Sequence, residues 1–381
     1  MSTHAVKVTR IRAIEPIPNA DAIELAVVGD YRSVVPKGEF KVDELAVYIP
    51  EQSIVPAWVL ERMGLVGKLA GREKNRVKAI KLRGCLSQGL LYKLHRVNRE
   101  KSMLDFLNDG YVQPRMDMIA VWEGDNVSAY LGITKYEPAI PAYMSGDVYN
   151  AGTDLTVNFD VENIKAFPYV LVPGEDVIMT EKIHGTFCGV GILPEKDWSD
   201  KHYLRKFVVF SKSPGARGLC FTDSERNLGN VYFRALMKED VFNKMERAFS
   251  GTTSPIFLLG EVYGRGVQDL AYGSNDVSFR VFDVVGGYRN EQSYWTPALA
   301  GSLLASFEIE TVPVVYSGPF SREALEEHTN GYETVSGKNT NIREGVVVRP
   351  ATEREHPELG RVILKSVSEK YLLRKNGTEY N

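Results

Sequence analysis

At 381 residues the chain is long enough for two or three domains, each with a core of its own. Its 25% charged and 44% hydrophobic residues exclude a disordered chain. A net charge of −3 excludes a global pull toward nucleic acid, so any polyanion must be met by a local basic patch.

Cys85, Cys188 and Cys220 have no metal-ligand spacing and read as small buried hydrophobes in a reducing compartment. No apolar run approaches the roughly 20 residues of a membrane span. The opening MSTHAVKVTR lacks a signal-peptide core. A cytoplasmic protein with no membrane partner is expected.

The first part consists of short runs with period-two apolar alternation: AVKVTRIRAIEPIPN, IELAVVGDYRSVVP, ELAVYIPEQSIVP and RVKAIKLRGCLSQGLLY. Four or five such strands predict a small closed barrel, since closure removes exposed edges. In the last run Val77, Ala79 or Ile80, and Leu82 alternate with basic residues. Arg72, Lys74, Arg76, Lys78, Lys81 and Arg83, with Lys68 upstream, form the densest positive segment of the chain. It reads either as a solvated strand face or as a phosphate-tracking surface.

The texture changes at residues 133–154, ITKYEPAIPAYMSGDVYNAGTD, where prolines and glycines predict a linker between a domain at 1–132 and another at 155–381. Beyond it, strand-like runs alternate with helical ones at residues 231–249 and 322–328, which predicts an α+β fold.

Six apolar runs in this second part end in or enclose charged residues. GEDVIMTEKIHGT carries Glu181, Lys182, Ile183, His184 and Gly185, and VVFSKS carries Lys212. PIFLLGEVYG carries Glu261, VSFRVFDVV carries Phe279, Phe282 and Asp283, REGVVVRP carries Glu344, Val346 and Arg349, and RVILKSVSEKYL carries Lys365. Charges on apolar strands are costly unless paired or exposed in a cleft, so these strands predict one shared polar site. Lys182, Lys212, Lys365 and Arg349 suit a polyphosphate, and Glu261 and Glu344 suit a divalent metal. An aromatic on the VSFRVFDVV strand suits stacking on a base. A lysine beside other cations loses its proton more readily and becomes a usable nucleophile.

As an ordered set, EKIHGT, FSKS, LLGEVYG, FRVFDV, EGVVVRP and ILKS resemble motifs I, Ia, III, IIIa, IV and V of the covalent nucleotidyltransferases, which include ATP-dependent RNA and DNA ligases and mRNA capping enzymes. The chain departs from the usual pattern twice: His184 stands where motif I has an aspartate, and Ser366 and Val367 follow Lys365 where motif V often has a second lysine. DNA ligases and capping enzymes carry an OB barrel after motif V, whereas 16 residues follow Lys365 here and the barrel-like segment comes first. That order resembles the Deinococcus-type RNA ligases.

The resemblance implies an amino-terminal OB domain followed by an adenylyltransferase domain of antiparallel sheets with flanking helices, related to the ATP-grasp-like ligase catalytic fold. It implies Lys182 as the nucleophile that forms lysyl-AMP. It implies a nucleotide site of Glu181, Ile183, His184, Gly185, Lys212, Glu261, Phe279, Glu344, Val346 and Lys365, with Phe279 stacked on adenine. ATP and Mg2+ or Mn2+ are the implied cofactors, the metal being held by Glu261, Glu344 and Asp283. The expected partner is RNA or an RNA/DNA hybrid duplex with a 3′-OH/5′-phosphate break, gripped by the OB domain and its basic run, and the expected state is a monomer. Two alternatives stay open: a DNA ligase or capping-type guanylyltransferase, and a non-catalytic nucleic-acid-binding protein.

Overall fold

The computed structural model describes residues 4–93, 121–137, 145–198 and 205–374. They fall into two compact units, Thr3–Glu137 and Pro138–Asn381.

In the first unit the strands Lys7–Arg10, Leu45–Ile49 and Leu90–Lys93 form one antiparallel sheet, and Ala13–Pro16, Ile23–Val28 and Tyr31–Pro36 form another. Gln88 N–H donates to the Arg32 carbonyl, and the Ser33 hydroxyl donates to the Gln88 carbonyl, both at 2.7 Å. These bonds join the two sheets on one side. On the other, the first strand runs on into the second, with Ile11 N–H bonded to Glu44 and Arg12 N–H to Val27. The strands therefore close a small barrel, as the alternation predicts. Leu45–Ile49 serves two core clusters because its side chains alternate: Val47 and Ile49 pack with Val8 and Tyr92, while Ala46 and Tyr48 pack with Ala26 and Leu91.

Both ends of the expected linker belong to the units. Thr134–Lys135 pairs with Ser53–Ile54, and Val148–Asn150 pairs with Leu219–Phe221. Residues 138–144 of that linker lie outside the described residues.

The second unit is built on two five-stranded sheets. The first runs Glu162–Asn163, Leu364–Val367, Gly345–Pro350, Asp176–Lys182, Val314–Pro319. The second runs Phe207–Ser211, Thr186–Ile192, Ile256–Gly264, Val277–Gly286, Ser293–Tyr294. Helices Val231–Lys238, Val241–Phe249 and Pro297–Ser306 cover the second sheet, burying Phe233, Leu236, Met245 and Leu304 against Val190, Leu258, Phe279 and Val281. The run expected to be helical at 231–249 is broken in two by Asp240, whose φ of 53° is left-handed. The Arg322–Thr329 helix starts where the Ser321 hydroxyl accepts from Ala324 N–H.

Only residues 183–185 separate the last strand residue of one sheet, Lys182, from the first of the other, Thr186. The polar segments expected to converge are thus carried by two sheets joined at the lysine turn. Among the described residues, no helix is long and apolar enough to cross a membrane.

Candidate active site

The Lys182 strand alternates strictly. Val177, Met179 and Glu181 are buried, whereas Ile178, Thr180 and Lys182 are partly exposed on the opposite face. Lys182 pairs in register with Gly345 of the neighbouring strand, which places Glu344 beside it. Lys182 Nζ lies 2.6 Å from Glu344 Oε1. The sequence suggested a lysine deprotonated by cations, but its nearest charge is a carboxylate, which favours the ammonium. Burial pushes the Glu344 carboxyl up, but the charges of Lys182 and His184 outweigh it and lower it to about 2. Its second oxygen is buried without a hydrogen-bond partner.

Glu261, on the second sheet, sits opposite Phe187 in register. Burial pushes its carboxyl up to about 7, with Glu344 adding to the shift and Lys182 opposing it. Lys365 is brought down to about 8 by burial and by the positive charges of Lys182 and Lys212. Lys212 begins the short helix Lys212–Ala216 and bonds Asp160 at 3.0 Å. Lys182, Lys212, Lys365, Glu261 and Glu344 therefore lie close enough to act on one another electrostatically.

Gly185 is required by close approach: a Cβ there would lie 2.1 Å from the Val262 carbonyl oxygen. The loop after the Glu261 strand holds this turn from three sides. His184 N–H donates to Tyr272 Oη at 2.5 Å, Gln268 donates to the Gly185 carbonyl, and His184 Nε2 lies 2.8 Å from Asp269 Oδ1. His184 is buried, with Tyr371 Oη 2.7 Å from Nδ1 and Glu344 Oε2 at 3.7 Å. Burial would lower the imidazole pKa; Asp269 and Glu344 outweigh it and raise it.

Several expected site residues lie elsewhere. The Glu181 side chain points away from Lys182 into the sheet's packed face, where Thr334 donates to it through N–H at 2.7 Å and Oγ1 at 2.6 Å. Ile183 packs with Tyr263, Tyr272 and Val312, and Val346 is fully buried, so both offer only backbone to a nucleotide. Phe279 is 2% exposed in the core under the helices and does not face the cleft. Phe282 lies on the other side of the strand: it shares the face of Arg280, which pairs with Glu261, and it packs 5.0 Å from Phe159 and 6.2 Å from Phe187.

Asp283 is not available to a metal. Arg349 Nη1 lies 3.0 Å from one oxygen and Arg361 Nη1 2.5 Å from the other, in a buried cluster completed by Glu353 at 2.7 Å from Arg361. The same cluster takes Arg349 out of the expected phosphate set and ties the two sheets together.

In the first unit, Arg72, Lys74, Lys81 and Arg83 are exposed and Lys78 is partly so. Arg83 and Gly84, at φ 49° and 88°, turn a hairpin between Ile80–Leu82 and Cys85–Ser87. Ile80 and Leu82 are themselves exposed, so the expected burial alternation stops at Val77. Arg76 is buried, bonded to Gln52 Oε1 at 2.6 Å and lying 3.7 Å over the Tyr136 ring, which withdraws it from a phosphate surface. Of the aromatics in this unit, Tyr48 is in the core, stacked 4.9 Å from Tyr31.

The sequence did not mark Asp160, Gln268, Asp269, Tyr272, Tyr371 or Arg374. Phe282 stood out as a second ring on the Phe279 strand, but the resemblance pointed to Phe279.

Among the described residues, no three His, Cys, Asp or Glu side chains are placed to hold a metal. Two carboxylates, Glu261 and Glu344, do fit one. Glu344 has an unpartnered buried oxygen, and the repulsion between the pair is relieved by a dication. Mg2+ characteristically takes one or two carboxylates plus water and substrate phosphates.

A family model described as RNA ligase matches residues 175–367, just over half of the chain, and an OB-fold domain model matches residues 5–94. Among solved structures, the chain is similar to Naegleria gruberi RNA ligase. A variant with ATP and Mn is 21% identical over 97% of this chain and 98% of that one, with a TM-score of 0.72. A variant with AMP and Mn is 22% identical at the same coverage, with a TM-score of 0.73. The same ligase with PPi is 21% identical over 97% and 98%, with a TM-score of 0.73. At such identities the likeness establishes the fold: an OB-fold unit followed by an α+β ligase unit. No curated protein matches. The chain belongs to the RNA ligase family.

Proposed function

We propose that the protein is an ATP-dependent RNA ligase that seals 3′-OH/5′-phosphate breaks through lysyl-AMP on Lys182 and an adenylylated 5′ end, in duplexes with RNA on the 3′ side of the break. The observation that carries this reading is the Lys182 ammonium, 27% exposed at the junction of two sheets, with Glu344 at 2.6 Å and Lys365 and Lys212 as coupled cations. ATP and PPi, found with the Naegleria enzyme, are the substrate and leaving group such a first step would have, and AMP, also found with it, is the group released at the last.

Once its ion pair with Glu344 opens, Lys182 Nζ releases its proton to solvent. It then attacks the α-phosphorus of ATP: the N–P bond forms, the bond to the bridging oxygen breaks, and pyrophosphate leaves with that electron pair. Next, an oxygen of the RNA 5′-phosphate attacks the same phosphorus, the P–N bond breaks, and Lys182 takes back a proton. Finally the 3′-hydroxyl oxygen, its proton passing to solvent, attacks the 5′-phosphorus, and the P–O bond to AMP breaks so that AMP departs with that electron pair. Each displacement is in line, so positioning and charge neutralisation do most of the work. Lys365 and Lys212 neutralise phosphate oxygens, and Phe282 offers a ring to the adenine. Glu261 and Glu344 would hold Mg2+ or Mn2+, which neutralises phosphate charge when bound.

The exposed bases of the barrel unit, Arg72, Lys74, Lys78, Lys81 and Arg83, serve as its phosphate-tracking surface, for which Arg76 is not counted. The test is sealing of a defined nick with all four RNA and DNA combinations at its two sides. Sealing with RNA on the 3′ side supports the reading. Sealing of all-DNA nicks alone, or a covalent label from GTP and not from ATP, overturns it.

A further inference from the structure

The segment after Lys365 returns to the lysine turn and grips it. Ser368 N–H donates to the Glu344 carbonyl at 2.8 Å, which starts the Glu369–Leu372 helix beside the carboxylate that pairs with Lys182. From that helix Tyr371 Oη reaches His184 Nδ1 at 2.7 Å, and the two rings meet edge to face at 5.3 Å. Arg374 follows, its guanidinium 3.7 Å over the Tyr371 ring. It makes a two-point ion pair with Asp269, Nε to Oδ2 at 2.8 Å and Nη2 to Oδ1 at 3.0 Å, and Nη2 also lies 3.2 Å from His184 Nε2. Asp269 in turn lies 2.8 Å from His184 Nε2.

A carboxylate only accepts hydrogen bonds, so Nε2 carries the hydrogen bonded to Asp269. Nδ1 accepts from the Tyr371 hydroxyl when the ring is neutral and donates to that oxygen when it is protonated. Both ring nitrogens are engaged within the protein in either form, and the imidazole has no lone pair to offer a cation.

We propose that Asp269, Tyr371 and Arg374 are positioning residues that act through His184, so that the segment Ser368–Arg374 completes the active site by fixing the lysine turn against Glu344. Three separated stretches meet on one buried imidazole two residues from Lys182, and the same segment also bonds Glu344. The histidine is then a joint between the lysine turn and the end of the ligase unit, and it does not carry out the polar task of the aspartate that stands there in the usual motif. Such residues leave the reacting atoms in place and set how closely they are held. Their removal typically costs 10- to 100-fold without abolishing binding.

The proposal rests on the reading of Lys182 as the adenylylated residue, and the test separates the two. Tyr371→Phe removes one hydroxyl and keeps the ring, so packing is preserved. At saturating ATP it should slow lysyl-AMP formation at least tenfold, with ATP affinity within about threefold of wild type and the melting temperature little changed. In a His184→Asn background the same substitution should cost less than twofold, because its route of action is already gone. Rates within twofold of wild type for Tyr371→Phe, or equal losses in both backgrounds, overturn the proposal. The independent readout is the 15N resonance of His184 Nδ1 in the nucleotide-free protein, which Tyr371→Phe should shift; an unchanged resonance also overturns it. Absence of any adduct in the wild-type protein would count against the ligase reading alone and leaves the resonance to decide this one.

Discussion

Lys182 Nζ and Glu344 Oε1 stand 2.6 Å apart because their strands are neighbours and Lys182 is in register with Gly345, the residue after Glu344. The main-chain ladder of a sheet sets this pair, so the proposed nucleophile is held by backbone and not by a loop. On the proposed mechanism this ion pair must open before attack.

Replacing Glu344 by Gln removes that charge. Lysyl-AMP formation at saturating ATP should fall about 100-fold, by analogy with losing one electrostatic contact to a developing charge. Stability provides a second check. The Glu344 carboxyl is lowered to about 2 from an ordinary 4.5, so it stabilises the fold above the ordinary value and loses that contribution as pH falls toward 2. The melting-temperature gap between wild type and Glu344→Gln should therefore narrow as the pH is lowered from 5 to 2.

Glu261 has the opposite sign. Its carboxyl is raised to about 7 from 4.5, so ionising it costs folding stability that is unaffected below 4.5 and progressively lost between there and 7. In the nucleotide-free protein Glu261→Gln should melt higher than wild type at pH 8 and the same at pH 4, even as it loses ligation. Thermal scans across that range with a divalent-metal chelator present check this.

The two phenylalanines of the Val277–Gly286 strand should separate cleanly. Phe279→Ala empties a core site and should cost about 3–5 kcal/mol of stability, read from denaturant unfolding. Phe282→Ala should leave the fold more nearly intact and weaken ATP binding by about tenfold, the worth of one stacking contact of roughly 1–2 kcal/mol, read from equilibrium titration.

In the barrel unit, exposed and buried bases should behave differently toward salt. Lys81→Ala with Arg83→Ala should flatten the dependence of log RNA affinity on log salt by about 1.5–2 units, each phosphate contact contributing just under one. Arg76→Ala should leave the slope alone and lower the melting temperature, because its partners are Gln52 and the Tyr136 ring.

Much of this site was legible because each of its charges interrupts an apolar run. Lys182, Glu261, Glu344 and Lys365 stand out against such backgrounds, and their order along the chain carried the family resemblance. The errors have specific physical origins. Glu181 follows the strict alternation of its strand and must face away from Lys182, so adjacency in sequence misled. Phe279 and Phe282, three residues apart, face opposite sides of their strand by alternation alone. The residue types on that strand do not say which side the helices cover, and Phe279 is on that side. Asp283 was taken for a metal ligand because its two arginine partners lie 66 and 78 positions away. Tyr371 and Arg374, 187 and 190 residues from His184, could be found only once the chain had folded back.

The central claim is that Lys182 becomes covalently joined to AMP. The direct measurement is peptide mapping by mass spectrometry after incubation with ATP and Mg2+ or Mn2+, alongside Lys182→Ala. The account predicts one AMP adduct, on the peptide carrying Lys182, lost in the variant and reversed by added pyrophosphate. An adduct on another residue, or sealing of an RNA nick that survives in Lys182→Ala, would contradict it.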